Sequence, residues 1–212
     1  ILSALSLGFG DGVNGSMQAL LPCESPAALS IPKMDVLATI CRGIHAKRPV
    51  AIRYHSMSSG ESKRVIVPFA LVDTGLRWHV RAFDRKSREF RDFVVTRIEE
   101  PTLLDEEPQA NERPHNDIQW TRIVELDFVP HPSVERPDII KMDYGMTDGS
   151  IRMRVRAAVV GYMLQRWRVD CSPDHCLRGP EYRLWLKDHL AIYGVKNALL
   201  APGYRATKKA DY

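Results

Sequence analysis

The hydrophobic positions of residues 30–47 recur at the spacing of a helix. Apolar side chains three or four residues apart would share one helical face: Met34, Leu37, Cys41 and Ile44. Ser30 can cap this helix, and Pro32 suits its first turn. Because Pro49 disfavours helical geometry at the residue before it, we expect the helix to end near Lys47.

From residue 50 onward, apolar and polar residues alternate in short runs, as they do in half-buried strands. Polar turns separate four such runs, at residues 50–56, 64–71, 78–83 and 90–95. An open sheet of these strands would leave long unpaired edges. Short strands joined by tight turns therefore favour a curled sheet or small β-barrel.

Acidic residues and Pro101, Pro108 and Pro114 interrupt the pattern after the fourth run, which indicates a domain boundary. Alternating apolar positions then predict three more strands, at residues 124–128, 151–155 and 182–186. Residues 157–167 are apolar almost all round and predict a buried helix. Residues 189–200 predict a last helix. The fold class is therefore α+β, with a β-barrel followed by an α/β sandwich.

Charge is unevenly distributed, although the net charge of the 212 residues is only +4. Residues 50–99 carry ten basic and six acidic side chains, and residues 151–212 carry twelve and five. Residues 100–150 carry four basic and twelve acidic side chains. Two basic segments around an acidic one suggest an anionic partner, although solubility alone can produce the same asymmetry.

The sequence lacks the motifs that are typical of several functional classes. Four cysteines at irregular spacing do not make a disulfide framework in a chain of this length. No apolar run is long enough for a membrane helix, so we expect a cytoplasmic protein without a membrane partner. A glycine-rich phosphate loop, a nucleophile elbow and a zinc-binding helix motif are absent. We expect no enzyme activity and no cofactor.

The third run would carry a basic face. Alternate residues of a strand share one side, so Arg77, His79 and Arg81 would project together, away from Trp78. Side chains that can converge where the strands meet form the predicted ligand site: Tyr54, Ser56, Arg64, His79, Arg81, Arg91 and Arg97. Guanidinium groups bind phosphate at roughly 1.5–3 kcal/mol per charged hydrogen bond. Rings on which a base can stack make a nucleotide or single-stranded nucleic acid a better fit than a simple anion.

Some of these basic and aromatic residues have plainer explanations. Trp78 is more typical of a core residue than of a ligand contact. Arg97 could pair with a carboxylate such as Asp92. The basic turn residues are typical of a solvated tip: Arg85, Lys86 and Arg88.

Two further clusters admit several interpretations. A basic row on the strand at 151–155 could touch nucleic acid, pair across a dimer or face water, and water is the expectation: Arg152, Arg154 and Arg156. Cys171, His175 and Cys176 could bind zinc, but their spacing is not that of a standard site. We expect no metal there.

The order of residues in the barrel segment is specific. Arg64 and Pro68 are followed by Gly75, by Trp78-His79-Val80, and then by Arg91-Asp92-Phe93 and Thr96-Arg97-Ile98. In this order, residues 46–103 resemble the WYL domain, named for a Trp-Tyr-Leu run that corresponds here to residues 78–80. His79 stands where the family run has Tyr, which leaves the identity of the ligand open. The later segment is similar to the C-terminal extension of WYL proteins, through Tyr162, Leu164, Trp167, Val169 and Leu200-Ala201-Pro202-Gly203.

The resemblance implies a bacterial transcription regulator. Such proteins place a winged helix-turn-helix domain before the WYL domain, form homodimers, and change their affinity for operator DNA when a nucleotide or nucleic acid binds. Members with this layout frequently regulate phage-defence operons. No helix-turn-helix pattern is visible in residues 1–49, so that domain would be missing.

The resemblance also implies the domain organisation. Residues 1–45 would be a linker and helix leading in from the winged-helix domain, and 46–103 a ligand-sensing barrel of the Sm or SH3-like type. Residues 104–118 would be an acidic linker, and 119–212 the dimerisation domain. We expect the subunit contact in this C-terminal sandwich, which includes the apolar helix at 157–167. A free-standing single-stranded nucleic-acid-binding module without a regulatory role is the alternative, and a metal-dependent hydrolase is a weaker third possibility.

Overall fold

The computed structural model describes residues 30–205, and the protein is α+β, as the sequence predicts. Its helices are α1 (Met34–Ala46), α2 (Ile118–Thr121), α3 (Pro137–Asp143) and α4 (Ala157–Arg166). Its strands are β1 (Val50–Ser56), β2 (Gly60–Asp73), β3 (Trp78–Asp84), β4 (Glu89–Val94), β5 (Ile98–Leu103), β6 (Ile123–Pro130), β7 (Ile151–Arg156) and β8 (Leu184–Leu186). Within these residues, no helix combines the length and apolar character that a membrane crossing requires.

Strands β1 to β5 form one antiparallel sheet in the order β4-β3-β2-β1-β5. The long strand β2 pairs with β1 along its first half and with β3 along its second half. A register shift between Pro68 and Ala70 interrupts the second pairing, and such irregularities bend a strand and increase its twist. The side chains on the inner face form the first core, which includes Ile52, Ile66 and Val80.

The sequence does not predict β5, because Ile98–Leu103 lacks clear alternation and contains Pro101. In the ladder with β1, Arg53 faces Glu99 and Ala51 faces Thr102, so the strands change register between these pairs. Glu100 lies in this irregular stretch with a φ of 50°. Because the proline nitrogen cannot donate to a regular ladder, proline in a sheet is confined to irregular or edge positions such as this one.

Helix α1 ends where the sequence predicts, because Lys47 adopts a left-handed conformation with a φ of 54°. Of the predicted apolar face, Ile44 packs against the first core and Leu37 is half-buried, but Cys41 is exposed. Val36, Ile40 and Gly43 face the sheet, whereas Met34 is 74% exposed. Gly43 permits this close approach, since a Cβ there would lie 2.6 Å from Val50 Cγ2.

A second antiparallel sheet, in the order β7-β6-β8, forms the C-terminal domain. The predicted inward residues of β6 are buried: Val124, Leu126 and Phe128. Helix α4 packs on this sheet through Val160 and Leu164, which belong to the same core. The burial of α4 agrees with the prediction from the sequence, but these apolar side chains are covered within the chain. The expected subunit contact in the C-terminal domain stays a prediction, and Val160 and Leu164 are not available for it.

Residues 189–200 do not form the predicted helix. They contain two short 3-10 turns, His189–Ile192 and Ala198–Leu200. Gly194, with a φ of 73°, separates the turns. Strand β8 is also shorter than predicted and excludes Tyr182.

The segment 104–118, expected to be a linker, packs against the first sheet. It contains two 3-10 turns, Ala110–Glu112 and Pro114–Asn116. Two of its carboxylates are buried, those of Glu112 and Asp117. Each binds a guanidinium group from the first sheet. Two acidic residues of this segment therefore hold it against the first sheet.

Candidate functional site

Strand β3 is covered on both sides, which the alternation of its residues does not reveal. Val80 and Ala82 face the first core. His79 and Arg81 project from the opposite side, yet each is only 5% exposed. The reason is that α4 and the end of segment 104–118 lie over them. The basic face that the sequence predicts as open is therefore largely enclosed.

Arg81 is the centre of a buried charge network. Its Nε and Nη2 donate to the two carboxylate oxygens of Asp117, at 2.8 and 3.0 Å. Its Nη1 donates to Asp92 on β4, at 3.1 Å. Burial opposes the charged form of Arg81, but the two carboxylates outweigh it and raise the pKa of the guanidinium. Arg81 is thus a fixed cation whose hydrogen bonds are already committed.

Tyr162 brings helix α4 into this network. Its hydroxyl donates to Asp92 at 2.9 Å, and its ring lies 5.0 Å from the ring of His79. Burial and the nearby Asp92 carboxylate raise the pKa of the Tyr162 phenol, so it remains a donor. One turn further along α4, the Arg166 guanidinium occupies the space beside Gly75, at the turn between β2 and β3. Helix α4 therefore contacts the first sheet at two points.

His79 is the unsatisfied member of the cluster. Its Nδ1 is buried and has no hydrogen-bond partner in the described part of the chain. Arg77 and Arg97 flank it, and neither forms an ion pair with any residue between 30 and 205. Burial lowers the pKa of His79, and the charges of Arg77 and Arg97 lower it further. The Asp92 carboxylate and the nearby Arg77 backbone act in the opposite direction. Within residues 30–205, the enclosed face thus ends in two cations that form no ion pair, beside an imidazole nitrogen that lacks a well-formed hydrogen bond.

Other predicted site residues have structural partners. Tyr54 lies in the first core with its ring 5.0 Å from Phe93, and its hydroxyl accepts from the Val94 N–H at 3.3 Å. Ser56 accepts hydrogen bonds from the backbone of the turn between β1 and β2. Arg64 pairs with the fully buried Asp84. These three side chains do not converge with His79.

Arg91 and Arg97 also depart from the predicted geometry. Both belong to the predicted ligand site, where strands were expected to meet, but Arg97 lies in the Val95–Arg97 3-10 turn. Arg91 is exposed and binds Glu89 at 3.2 Å. It lines a cleft of about 300 Å³ between the first sheet and α4, with Asp92 and Lys196. The Asp92 carboxylate pairs with Arg81 and not with Arg97, so the suggested Arg97–Asp92 ion pair does not form between these two described residues.

Two plainer explanations are also corrected by the structure. Trp78 is 39% exposed at the first position of β3 and is not a core residue. Arg85 is not part of a solvated tip, because its Nε and Nη2 donate to the buried Glu112 at 2.6 and 3.0 Å. Burial would raise the pKa of Glu112, but Arg85 and the Gln109 N–H hold it below its usual range. Lys86 and Arg88 are exposed, as expected.

The basic row on β7 faces outward. Arg152 and Arg154 are exposed, and Arg154 lies 3.5 Å from Glu125. Arg156 stacks over the ring of Trp120, with its Cζ 4.8 Å from the centroid. The row therefore faces solvent and its own neighbours in this chain.

The Cys171 region is packed as part of the C-terminal domain. Burial raises the pKa of the Cys171 thiol, so it stays protonated. The His175 ring packs 5.6 Å from the ring of Trp185. Among residues 30–205, no group of three or more His, Cys, Asp or Glu side chains is placed to hold a metal ion.

Comparison with known protein families assigns both halves of the chain. The WYL domain model matches residues 35–103. The model described as the C-terminal dimerization domain of the BrxR transcriptional regulator matches residues 123–192. The chain contains a WYL domain and a BrxR-type C-terminal dimerization domain. The resemblance to WYL proteins is therefore confirmed, and the WYL match includes α1.

Relatives of this WYL-domain chain carry the description DNA-binding transcriptional repressor CapW. The one from Escherichia coli (strain KTE188) is 32% identical over 187 residues, which is 84% of this chain and 60% of the relative. The one from Pseudomonas aeruginosa is 30% identical over 172 residues, which is 77% of this chain and 56% of the relative. This chain thus spans about 60% of the length of the first relative.

Among solved structures, the proteasome accessory factor B/C (PafBC) of Arthrobacter aurescens resembles this chain weakly. The TM-score is 0.35 at 18% identity, over 60% of this chain and 22% of that chain. A likeness at this level supports no conclusion about fold or function.

The sequence did not predict the residues that enclose the basic face of β3. Asp117 lies 36 positions after Arg81, and Tyr162 lies 70 positions after Asp92. Asp117 was one of many acids in a segment interpreted as a linker, and Tyr162 one of the side chains of an apolar helix. The only available signal was the local excess of acid beside two basic segments.

Proposed function

We propose that this chain is the effector-sensing and dimerising portion of a homodimeric transcriptional repressor. Its ligand is an anion of the nucleotide or single-stranded nucleic-acid class, bound at the WYL domain. Ligand binding changes the affinity of the whole protein for operator DNA, which a winged-helix domain would contact. The CapW relatives support the repressor role, and the dimerization-domain match supports the homodimer. A cytoplasmic location and control of phage-defence genes belong to the same proposal.

The observation that carries this proposal is the unsatisfied group at His79. A buried polar atom without a partner is costly, so such an atom marks a place where a ligand can complete the hydrogen bonding. Among the residues that the structure describes, His79 Nδ1 is such an atom, and Arg77 and Arg97, which form no ion pair there, act on it electrostatically. Two cations favour an anion, and a phosphate group offers oxygens that both guanidinium groups can bind. We therefore place the ligand's phosphate at these three residues.

The same position explains how binding could reach the C-terminal domain. The His79 ring packs on Tyr162, and Tyr162 binds Asp92, which Arg81 also holds. An added negative charge beside His79 repels the Asp92 carboxylate and stabilises the protonated imidazole. Both effects alter the contact between the first sheet and α4. A ligand can shift an equilibrium between dimer arrangements only through such differential contacts.

Fluorescence anisotropy with a labelled single-stranded oligothymidylate of five nucleotides tests the ligand site on the purified chain. Arg97→Ala and Arg77→Ala should each weaken binding by about tenfold, which is the loss of about 1.4 kcal/mol. Lys86→Ala is the matched control, because Lys86 is an exposed cation of the same domain. Equal weakening by the control variant would mean diffuse electrostatic binding, and the site proposed around His79 would then be wrong.

A salt series separates the regulator from the free-standing nucleic-acid-binding module. For a module that binds only the phosphate backbone, a plot of the logarithm of the binding constant against that of the salt concentration should have a slope of about −0.7 for each neutralised phosphate. Its affinity should also grow with oligonucleotide length. A sensor should saturate with one short ligand, and longer oligonucleotides should bring no further affinity. Affinity that rises steadily from five to twenty nucleotides would favour the module.

A further inference from the structure

Residues 189–201 form a segment that we call the strap, and it crosses the C-terminal domain with one buried row of side chains. Backbone hydrogen bonds join residues three positions apart: Tyr193 N–H to Leu190 O, Val195 N–H to Ile192 O, Ala198 N–H to Val195 O, and Ala201 N–H to Ala198 O, at 2.9–3.2 Å. Every third residue lies in the hydrophobic core of the C-terminal domain: Ile192, Val195, Ala198 and Ala201. This period places the residues between them toward solvent.

The outward row of the strap is mostly apolar. Leu190, Tyr193 and Leu199 are 58%, 60% and 73% exposed, and Lys196 is its polar member. Leu190 and Tyr193 lie one turn apart, because the Tyr193 N–H donates to Leu190 O at the end of the His189–Ile192 turn. A row of large exposed apolar side chains marks an interaction surface more often than a solvated one.

Side-chain hydrogen bonds with two helices fix the strap to the domain. Gln119 of α2 donates to Gly194 O at 3.1 Å and accepts from the Lys196 N–H at 3.0 Å. Asn197 of the strap donates to Ala158 O on α4 at 2.7 Å and accepts from the Gly161 N–H at 3.0 Å. The apolar row is therefore exposed on a preorganised segment, and its binding to a partner would cost little ordering entropy.

We infer that the outward row of the strap is the surface on which a second copy of this chain docks. The inference rests on the homodimer in the proposed function. The dimerization-domain match ends at residue 192, inside the strap, and the strap continues the core of that domain. A two-fold dimer uses the same patch on both subunits, and a row with one cation among apolar side chains suits self-contact.

The other faces of the C-terminal domain fit a second copy less well. Helix α4 buries Val160 and Leu164 within the chain, and its remaining large apolar side chains are half-buried. The outer face of the second sheet carries Arg152 and Arg154, together with the acidic residues of β6. Helix α3 exposes Ile139 and Met142, at 45% and 81%, and it is the competing apolar surface. Unlike the strap, α3 has no described side-chain hydrogen bond to α2 or α4.

Sedimentation equilibrium of the purified chain over a range of concentrations tests the strap. The double variant Tyr193→Asp, Leu199→Asp should raise the dimer dissociation constant at least tenfold, because burying two carboxylates in the contact is unfavourable. Met142→Asp is the matched control in the same domain and should change the constant less than twofold. Circular dichroism melts should show that both variants remain folded, since all three positions are exposed.

Hydrogen exchange on the unaltered chain gives a second readout that needs no variant. Amides of residues 189–200 should exchange more slowly above the dimer dissociation constant than below it, while amides of α3 should not change. If Met142→Asp dissociates the dimer, or if only the amides of α3 exchange more slowly in the dimer, the contact lies at α3 and the inference is wrong. A chain that stays monomeric at every concentration would overturn the homodimer itself. A stable dimer that is indifferent to the strap variants would refute only the strap.

Discussion

At the scale of single residues, Arg81 is better explained as a structural cation than as a free ligand contact. Its side chain is 6% exposed, and those of Asp117 and Asp92 are 3% and 11% exposed. Arg81→Gln would leave two buried carboxylates facing each other without a counter-charge, and breaking a buried ion pair typically costs about 3–5 kcal/mol. Urea unfolding should show a loss of that size. Arg91→Gln is the control, because the exposed Arg91 should contribute within about 0.5 kcal/mol.

A second substitution checks the reason for that loss. If Arg81→Gln destabilises the chain through the uncompensated carboxylates, Asp117→Asn should recover part of the stability in the Arg81→Gln background. In the unaltered background, the same Asp117→Asn should destabilise the chain, because Arg81 loses its bidentate partner. Equal and additive losses in both backgrounds would show that the two residues do not act as a pair.

His79 is the residue whose protonation connects pH to stability. Burial lowers its pKa below the ordinary value of 6.5, with Arg77 and Arg97 acting in the same direction, Asp92 opposing them and the Tyr162 ring packed against it. As the pH falls through 6.5, the unfolded chain takes up a proton that the folded chain does not. The contribution of His79 is therefore fully present above pH 6.5 and is lost as the pH falls toward the depressed folded pKa.

The measurement is the urea midpoint at half-unit intervals between pH 5 and pH 7.5. His79→Gln should flatten the decline of stability toward acid pH, whatever its effect on stability at pH 7.5. His115→Gln is the control at an exposed histidine and should leave the slope unchanged. An unchanged slope in His79→Gln would show that this imidazole does not set the acid sensitivity.

At the scale of elements, the sequence predicts a strand well when one of its faces is exposed to solvent. The alternation in β6 and β7 identifies both strands and their inward residues, because polar side chains occupy the other face. The same logic predicts the position of β3 but not its surroundings, because α4 and Asp117 cover the polar side. Those partners come from distant parts of the chain, and no local periodicity encodes them. The site residues that depend on them, Arg81 above all, could therefore not be assigned correctly.

Two further elements show a different limit. β5 is missed because its ladder with β1 contains an irregularity at Glu100 and Pro101, which breaks the two-residue period. The strap is mistaken for a helix because its buried residues recur every third position, close to the helical period. In both cases a small departure from the regular period conceals the observed element.

Helix α4 is held close to the strap by a glycine. A Cβ at Gly161 would lie 2.0 Å from Asn197 O, a backbone atom that cannot move aside independently. Gly161→Ala should therefore destabilise the chain by about 1–3 kcal/mol through overpacking, despite the roughly 1 kcal/mol by which alanine is the better helix former. Denaturant unfolding measures this change. Gln165→Ala, at an exposed position of α4, is the control and should be neutral. A stabilising Gly161→Ala would show that the helix and strap can separate readily.

At the scale of the whole molecule, α4 joins the WYL domain to the dimerization domain. Tyr162 reaches Asp92 and His79, and Arg166 fills the space beside Gly75. Segment 104–118 adds the ion pairs from Arg81 and Arg85 to its buried carboxylates. Because buried charged contacts cross the boundary, we expect the two domains to unfold together in one cooperative transition.

Calorimetry tests this coupling through the ratio of the calorimetric to the van't Hoff enthalpy, which is near one for a two-state transition. The ratio should be near one for the unaltered chain and should rise in Tyr162→Ala, which removes the ring and the hydroxyl from the boundary. Tyr162→Phe keeps the ring against His79 and loses only the bond to Asp92, so it should remain two-state while losing about 1.5–3 kcal/mol. Tyr144→Ala, at a partly exposed tyrosine of the C-terminal domain, is the control and should remain two-state. If Tyr162→Ala also stays two-state, the boundary is held by the Arg81 and Arg85 ion pairs, and a ligand at His79 would have to act on those pairs to reach the dimer.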